Sequence, residues 1–333
     1  LVVTDEIVTE PQYTQPSSPG ATPGIRVSVV IASYNSERTI ERCLRSLEQQ
    51  PDREAFEIIV VDSSQDGTAD LIAREFPRVK LFRYSERKFP GDARNIGVCR
   101  STGDIIAFTD ADCFVEPGWV HRILEAHEKM RHPVIGGAVV NGNPESYVGW
   151  AHYFAEFSQW MPQATSCEMA EIPTTCLTVK RRIFEKSGPF IENTYCSDTA
   201  FNWTLGRYGY RPLFLPALWV SHTNIAQLHT LLRRKAFHGT CFARVRATEQ
   251  SWSRSRRVAY VLVSPALPAL LFGRVLVRVI RKKAHVTRFL LASPLVFAVL
   301  IAWAWGEFLG YLSPSLHAIA RGARVMLPEG RDR

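Results

Sequence analysis

The chain of 333 residues has no CxxC pair among its seven cysteines, which stand alone at positions 43, 99, 113, 167, 176, 196 and 241. That spacing argues against a structural zinc site or a disulfide framework and for a reducing compartment. No GxxxxGK[ST] run is present, so a P-loop is excluded. No GxGxxG follows a strand, which removes a dinucleotide site, and no GxSxG elbow occurs. The start lacks the apolar stretch of a secretory signal. Pro11, Pro16, Pro19 and Pro23 among Ser, Thr and Gln predict a flexible leader over residues 1–24. Any phosphate handled here must be held by side chains and a metal.

What is present is unevenly distributed. Acidic residues concentrate before about residue 200, and the net charge of +8 belongs mostly to the C-terminal third. Arg233, Arg234, Lys235, Arg244, Arg246, Arg254, Arg256 and Arg257 fall in one short stretch there. Such a bias suits anionic headgroups or phosphates. Nucleic acid is set aside, because these charges flank apolar segments.

Residues 25–140 alternate strand and helix patterns. Apolar runs at Val27–Ala32, Ile58–Val61, Val79–Tyr84 and Ile105–Thr109 predict buried strands. Helical spacing or cap signals predict helices over Glu37–Gln50, Thr68–Phe76, Ala93–Arg100 and Trp119–Lys129. This alternation predicts an α/β domain with a mostly parallel central sheet flanked by helices. Ligands of such sheets sit beyond the carboxyl ends of the strands. Ala32–Asn35, Asp62 and Asp110–Asp112 each follow a different strand, so three polar termini are expected at one edge. Paired carboxylates at a strand tip supply hard oxygen ligands for a divalent cation.

Trp150, Tyr153, Phe154, Phe157 and Trp160 recur at helical spacing and serve either as a core face or as a wall of an acceptor pocket. Farther on, Val258–Gly273 and Phe289–Gly306 carry no charge over sixteen and eighteen residues. Both are borderline against the roughly 20 residues that a bilayer span needs. The basic loop between them, Arg274 to Arg288, opposes two clean spans. A hairpin in one leaflet, or one span beside an interfacial helix, fits the charges better, with Trp303 and Trp305 at the interface. A buried soluble hairpin is the alternative.

Four motifs in order now carry a resemblance. They are Val27-Ser-Val-Val-Ile-Ala-Ser-Tyr-Asn35, Ile58-Ile-Val-Val-Asp62 with its following Ser-Ser-Gln-Asp-Gly-Thr68, Ala93-Arg-Asn-Ile-Gly97, and Gly103-Asp-Ile-Ile-Ala-Phe-Thr-Asp110-Ala-Asp112. Over residues 25–115 the chain resembles family 2 glycosyltransferases of the GT-A fold, with weaker similarity to about residue 240. The resemblance implies residues 25–240 as the transferase domain. Residues 25–115 would bind the nucleotide sugar and 116–240 would form the acceptor side. Residues 241–333 would be a helical membrane-associated tail.

The resemblance also implies roles. Ala32, Tyr34 and Asn35 would line the base, Asp62 would hold base or ribose, and Arg94 would lie near the diphosphate. The position after Asp62, acidic or an amide in many relatives, is Ser63 here. Asp110 and Asp112 would hold Mg²⁺ or Mn²⁺, with Asp110 also at the donor and His222 as a further ligand. Ser197-Asp198 resembles the family's Glu-Asp pair with Ser in place of Glu. Asp198 would then be the general base, although Ser and Asp at a helix start also read as an N-cap. Gln227 is followed by Leu-His-Thr-Leu, so the Gln-x-x-Arg-Trp signature of processive synthases is absent. The expectation is an inverting, metal-dependent transferase at the cytoplasmic face of the cell membrane. Its partners would be a nucleotide sugar and a sugar or lipid-linked acceptor, in glycan or glycolipid synthesis. The rival is a degenerate nucleotide-sugar binder or membrane scaffold.

Overall fold

The computed structural model describes residues 24–162 and 165–313. The predicted leader lies outside these residues. The chain runs β1 (Val27–Ser33), α1 (Ile40–Glu48), β2 (Phe56–Asp62), α2 (Thr68–Glu75), β3 (Lys80–Arg83), α3 (Pro90–Cys99) and β4 (Ile105–Asp110). It continues with β5 (Cys113–Val115), α4 (Trp119–Lys129), β6 (Val134–Asn141), α5 (Tyr147–Phe157), β7 (Cys167–Glu168), β8 (Leu177–Lys180), α6 (Arg181–Ser187), α7 (Ser197–Arg207) and β9 (Leu213–His222). Four helices close it: α8 (Leu228–Glu249), α9 (Arg254–Val263), α10 (Leu267–Lys282) and α11 (Val286–Leu312).

Buried β-branched residues on both faces of β1 and β2 require helices on each side, and α1 meets one face with Ile40, Cys43, Leu44 and Leu47. Nine strands form one sheet in the order β3-β2-β1-β4-β8-β6-β9-β5, with β7 on β9. The strands β3, β2, β1 and β4 are parallel, as predicted, and β8 reverses the direction beside β4. Register places Ser33 opposite Asp62 and Ala32 opposite Asp110, so the three polar termini do share one edge.

The aromatic face of α5 is core first. Trp150 stacks on Phe154, and Phe154 meets Phe289 of α11 edge-on at 5.2 Å. Its last ring, Phe157, lies 4.7 Å from His222 and lines the cavity beside it.

The expected boundary at residue 240 falls inside α8, a continuous helix of 22 residues. The helix α11 lies against α8, and glycine makes the crossing close. A Cβ at Gly239 would stand 2.2 Å from the Trp303 carbonyl, and one at Gly306 would stand 2.0 Å from the Ala236 carbonyl. The stretches Arg254–Lys282 and Val286–Leu312 are long and apolar enough to cross a membrane. Leu262, Val263, Leu270, Val277, Ile280, Leu290, Leu291 and Ile301 are exposed on them. Val275 and Val279 are buried, and Arg278 and Lys282 reach inward to residues 158–161. Trp303 also faces inward: its Nε1 donates to Glu307 Oε1 at 2.6 Å, and its ring lies 5.5 Å from Phe242. Trp305 is exposed.

Candidate active site

At the ends of β1 and β2 the chain turns sharply. Asn35 is left-handed with φ +50°, a conformation Asn tolerates. Its N–H donates to Ser64 Oγ at 2.7 Å, and its Oδ1 accepts from the Gln65 N–H at 2.9 Å. The Arg87 guanidinium lies 4.3 Å from the Tyr34 ring centre and donates to the Tyr195 hydroxyl. Asp62 is buried and accepts from the Ser64 hydroxyl at 2.6 Å. Burial raises its pKa, and the Ser64 bonds oppose the rise. Ser63 Oγ accepts from the Lys88 N–H.

Asp110 ends β4 and has both oxygens engaged. Arg94 Nη2 donates to Oδ1 at 2.7 Å, and Thr175 donates to Oδ2 at 2.8 Å. The ion-pair partner of Arg94 is therefore Asp110. Buried Arg94 also keeps an Nε without a partner among the described residues.

Asp112 faces His222, far along the chain. The ladder between β5 and β9 pairs Cys113 directly with His222, which brings Asp112 Oδ2 within 3.4 Å of His222 Nε2. His222 Nδ1 lies 3.1 Å from Asn224 Oδ1, and this contact orients the ring. Burial pulls the imidazole pKa down, but the adjacent Asp112 charge and hydrogen bond lift it above its usual value. Burial likewise raises Asp112, and His222 and Arg234 bring it net below the usual carboxylate range. Asp112, Cys113 and His222 place one ligand atom each within 4.8 Å of one another. Burial, with Asp112 and Asp110, pushes the Cys113 thiol well up, so it stays protonated. The carboxylate and imidazole fit a divalent cation such as Mg²⁺ or Mn²⁺. Asp110 stands outside that group and is bound instead to Arg94 and Thr175.

Asp198 lies in the first turn of α7. The cap position itself is Cys196, with φ +62°, so Asp198 is not the N-cap. Its Oδ1 accepts from the Thr199 N–H at 2.9 Å. Burial raises its pKa, Arg94 counters, and Asp110 adds to the rise. Asn202 bonds Ile172 at both N–H and C=O, which pins the 171–175 segment beside this turn.

A cavity of about 930 Å³ is lined by Arg94, Asp110, Asp112, Asp198 and His222. Ala32, Tyr34, Asn35 and Asp62 do not line it and sit along the adjoining sheet edge. Sequence reasoning missed Thr175 and Glu171, which lie in an aperiodic stretch without a motif. Glu171 accepts from Trp203 Nε1, and burial raises its pKa. Lys235, part of the basic cluster read as suiting phosphates or headgroups, is buried against Glu156 of α5. Burial lowers its pKa to about 7.

A parallel sheet with acidic residues at its strand tips, continued past the reversed strand β8 by β6 and by β9, which carries His222 at the cavity, defines a GT-A type α/β domain. Residues 28–188 match the family model "Glycosyl transferase family 2". This segment is a family 2 glycosyltransferase domain. The chain is 30% identical over 184 residues to the glycosyltransferase AglE of Haloferax volcanii, covering 54% of this chain and 60% of that protein. It is 25% identical over 244 residues to the pre-mycofactocin glycosyltransferase of Mycobacterium tuberculosis, covering 70% and 50%. The chain thus spans about half the length of the curated relatives it matches. In fold it is similar to the mannosyltransferase PcManGT of Pyrobaculum calidifontis, solved with GDP-Man and Mn²⁺. There the TM-score is 0.55 at 19% identity, covering 91% of this chain and 88% of the other. TarS 1–349 of S. aureus, solved with UDP-GlcNAc, gives 0.50 at 18%, covering 85% and 90%.

Proposed function

We propose that the protein transfers one sugar from a nucleotide sugar to an acceptor hydroxyl, with inversion at the anomeric carbon. The observation that carries this reading is the convergence of Arg94, Asp110, Asp112, Asp198 and His222, from distant segments, on one cavity beyond the sheet edge. The acceptor oxygen attacks the anomeric carbon, its proton passes to Asp198, and the bond from that carbon to the diphosphate breaks. The bonding electrons leave with the nucleoside diphosphate. Asp198 suits this task because its raised pKa makes it a stronger base than an exposed aspartate. Arg94 holds Asp110 in place and adds positive charge at the cavity wall for an anionic donor. Asp112 and His222 would hold Mg²⁺ or Mn²⁺, which when bound supplies positive charge to the diphosphate. Ala32, Tyr34, Asn35 and Asp62 would receive the base and ribose along the adjoining edge.

The exposed leucines and isoleucines of the tail support a place at the membrane. We assign the domain to the cytoplasmic face, where nucleotide sugars are made, with glycolipid or cell-surface glycan synthesis as its role. Thermal-shift screening of nucleotide sugars with Mn²⁺ identifies the donor. Transfer is then measured for Asp112→Asn and Asp198→Asn. Both lose transfer under this reading, and full activity in both would overturn it. A degenerate binder is recognised by its failure to hydrolyse the donor slowly in the absence of acceptor.

A further inference from the structure

The loop between β3 and α3 brings Arg87 over the Tyr34 ring, with the guanidinium 4.3 Å from the ring centre. Arg87 is steadied from behind. Its Nη2 donates to the Tyr195 hydroxyl at 2.7 Å, and its guanidinium lies 5.4 Å from the Phe89 ring. Tyr195 itself meets Phe89 and Phe237 edge-on. Tyr34 and Arg87 are both half-buried, so each still presents surface to a ligand.

The polar side chains around this pair are bonded to the turns they sit in. Asp62 accepts from the Ser64 hydroxyl at 2.6 Å and from the Ser64 N–H at 3.2 Å. Ser64 Oγ accepts from the Asn35 N–H, and Asn35 Oδ1 accepts from the Gln65 N–H. Ser63 Oγ accepts from the Lys88 N–H at 3.0 Å. Ser63 has neither a carboxylate nor an amide to meet the edge of a base. A site that hydrogen-bonds a base edge rejects the wrong edge by orders of magnitude. Here the groups after β1 and β2 fix the two turns instead. What they leave for a ligand is two faces, an aromatic ring and a planar guanidinium, and both stack on any base.

We propose that Tyr34 and Arg87 clamp the donor base face to face, and that the protein binds donors with little regard to which base they carry. The base slides onto the Tyr34 ring where the guanidinium now lies, and the guanidinium covers its outer face. Asp62 is left to the ribose, and donor choice falls to the sugar in the cavity. The proposal rests on the transferase reading above and defines how that site selects its donor.

The test is calorimetric titration of the full chain with UDP, GDP, ADP and CDP in the presence of Mn²⁺. The four bind within about tenfold of one another. Arg87→Gln weakens all four by about tenfold, and Tyr34→Leu does the same. Arg87→Lys keeps the charge but not the plane, and it behaves like Arg87→Gln. Inorganic pyrophosphate, which has no base, binds the wild type and Arg87→Gln equally. Arg207→Gln, at the exposed end of α7, gives wild-type values. Melting curves check folding, and if Arg87→Gln is unfolded, Tyr34→Leu carries the comparison. A preference beyond tenfold for one base overturns the proposal, because an edge is then being read. So does full affinity in Arg87→Lys or an equal loss for pyrophosphate, since either assigns Arg87 to the phosphates. Unchanged binding in a folded Arg87→Gln or Tyr34→Leu variant, or no binding of any of the four, overturns it as well. Donor hydrolysis by the wild type is measured separately: its absence sinks the transferase reading and leaves the binding result standing.

Discussion

Asp198 carries the sharpest expectations at the level of single residues. Replacing it with Asn removes the proton acceptor while keeping the Thr199 contact within reach, so kcat falls by about 10²–10⁴. The KM for the donor changes little, and steady-state kinetics on the identified donor checks both. Arg94 lowers the Asp198 pKa, so Arg94→Gln lets it rise further. The acid limb of the kcat/KM profile then moves to higher pH, against the usual effect of a neutral surface change. A limb that stays in place would mean that another group is the base. Asp112, Asp110 and Asp198 were legible in the chain because each sits at a strand or helix terminus. Thr175 was not, because the stretch around it follows no period and its partner is 65 positions away.

At the scale of elements, buried Glu57 ties β2 to its surroundings. It accepts from Ser28 Oγ, the Thr102 N–H and hydroxyl, and Lys80 Nζ. Burial alone would raise its pKa, but these bonds bring it below the usual value. Its stabilisation is therefore complete above the unfolded carboxylate pKa of about 4.3. It is lost as pH falls through the lower folded value. Glu57→Gln costs about 1–3 kcal/mol at neutral pH, measured by chemical unfolding, and the deficit shrinks toward acid. The crossing of α8 and α11 is a second element-level device. Gly306→Val forces the two backbones apart, costs about 1–3 kcal/mol or more, and lowers the melting temperature. The strands and helices before residue 130 were readable because burial on a parallel sheet writes continuous apolar runs between polar caps. The ladder that brings His222 to Asp112 was not, since a short strand of three residues carries no period of its own. The inward turn of Arg278 and Trp303 was equally hidden: which side of an apolar helix meets protein depends on a neighbour distant in sequence.

For the whole molecule, the outward face of α9, α10 and α11 predicts reversible binding to lipid. Each of Leu270, Leu290 and Leu291 changed to Ser should lower vesicle partitioning by about tenfold, as measured by co-sedimentation. Loss of binding by high salt alone, with no effect of these serines, would assign the attachment to charge instead. One feature reaches further. The Gly239–Gly306 crossing leaves no slack between the helix that carries Arg234 beside the cavity and the helix that meets lipid. With α8 roughly 33 Å long, a tail seated in lipid as proposed and the catalytic end would be held as one lever. Under the proposed function, a tail seated in the leaflet would then select acceptors by height: a hydroxyl would be glycosylated when it stands a set distance above the membrane plane, and longer or shorter headgroups would pass unread.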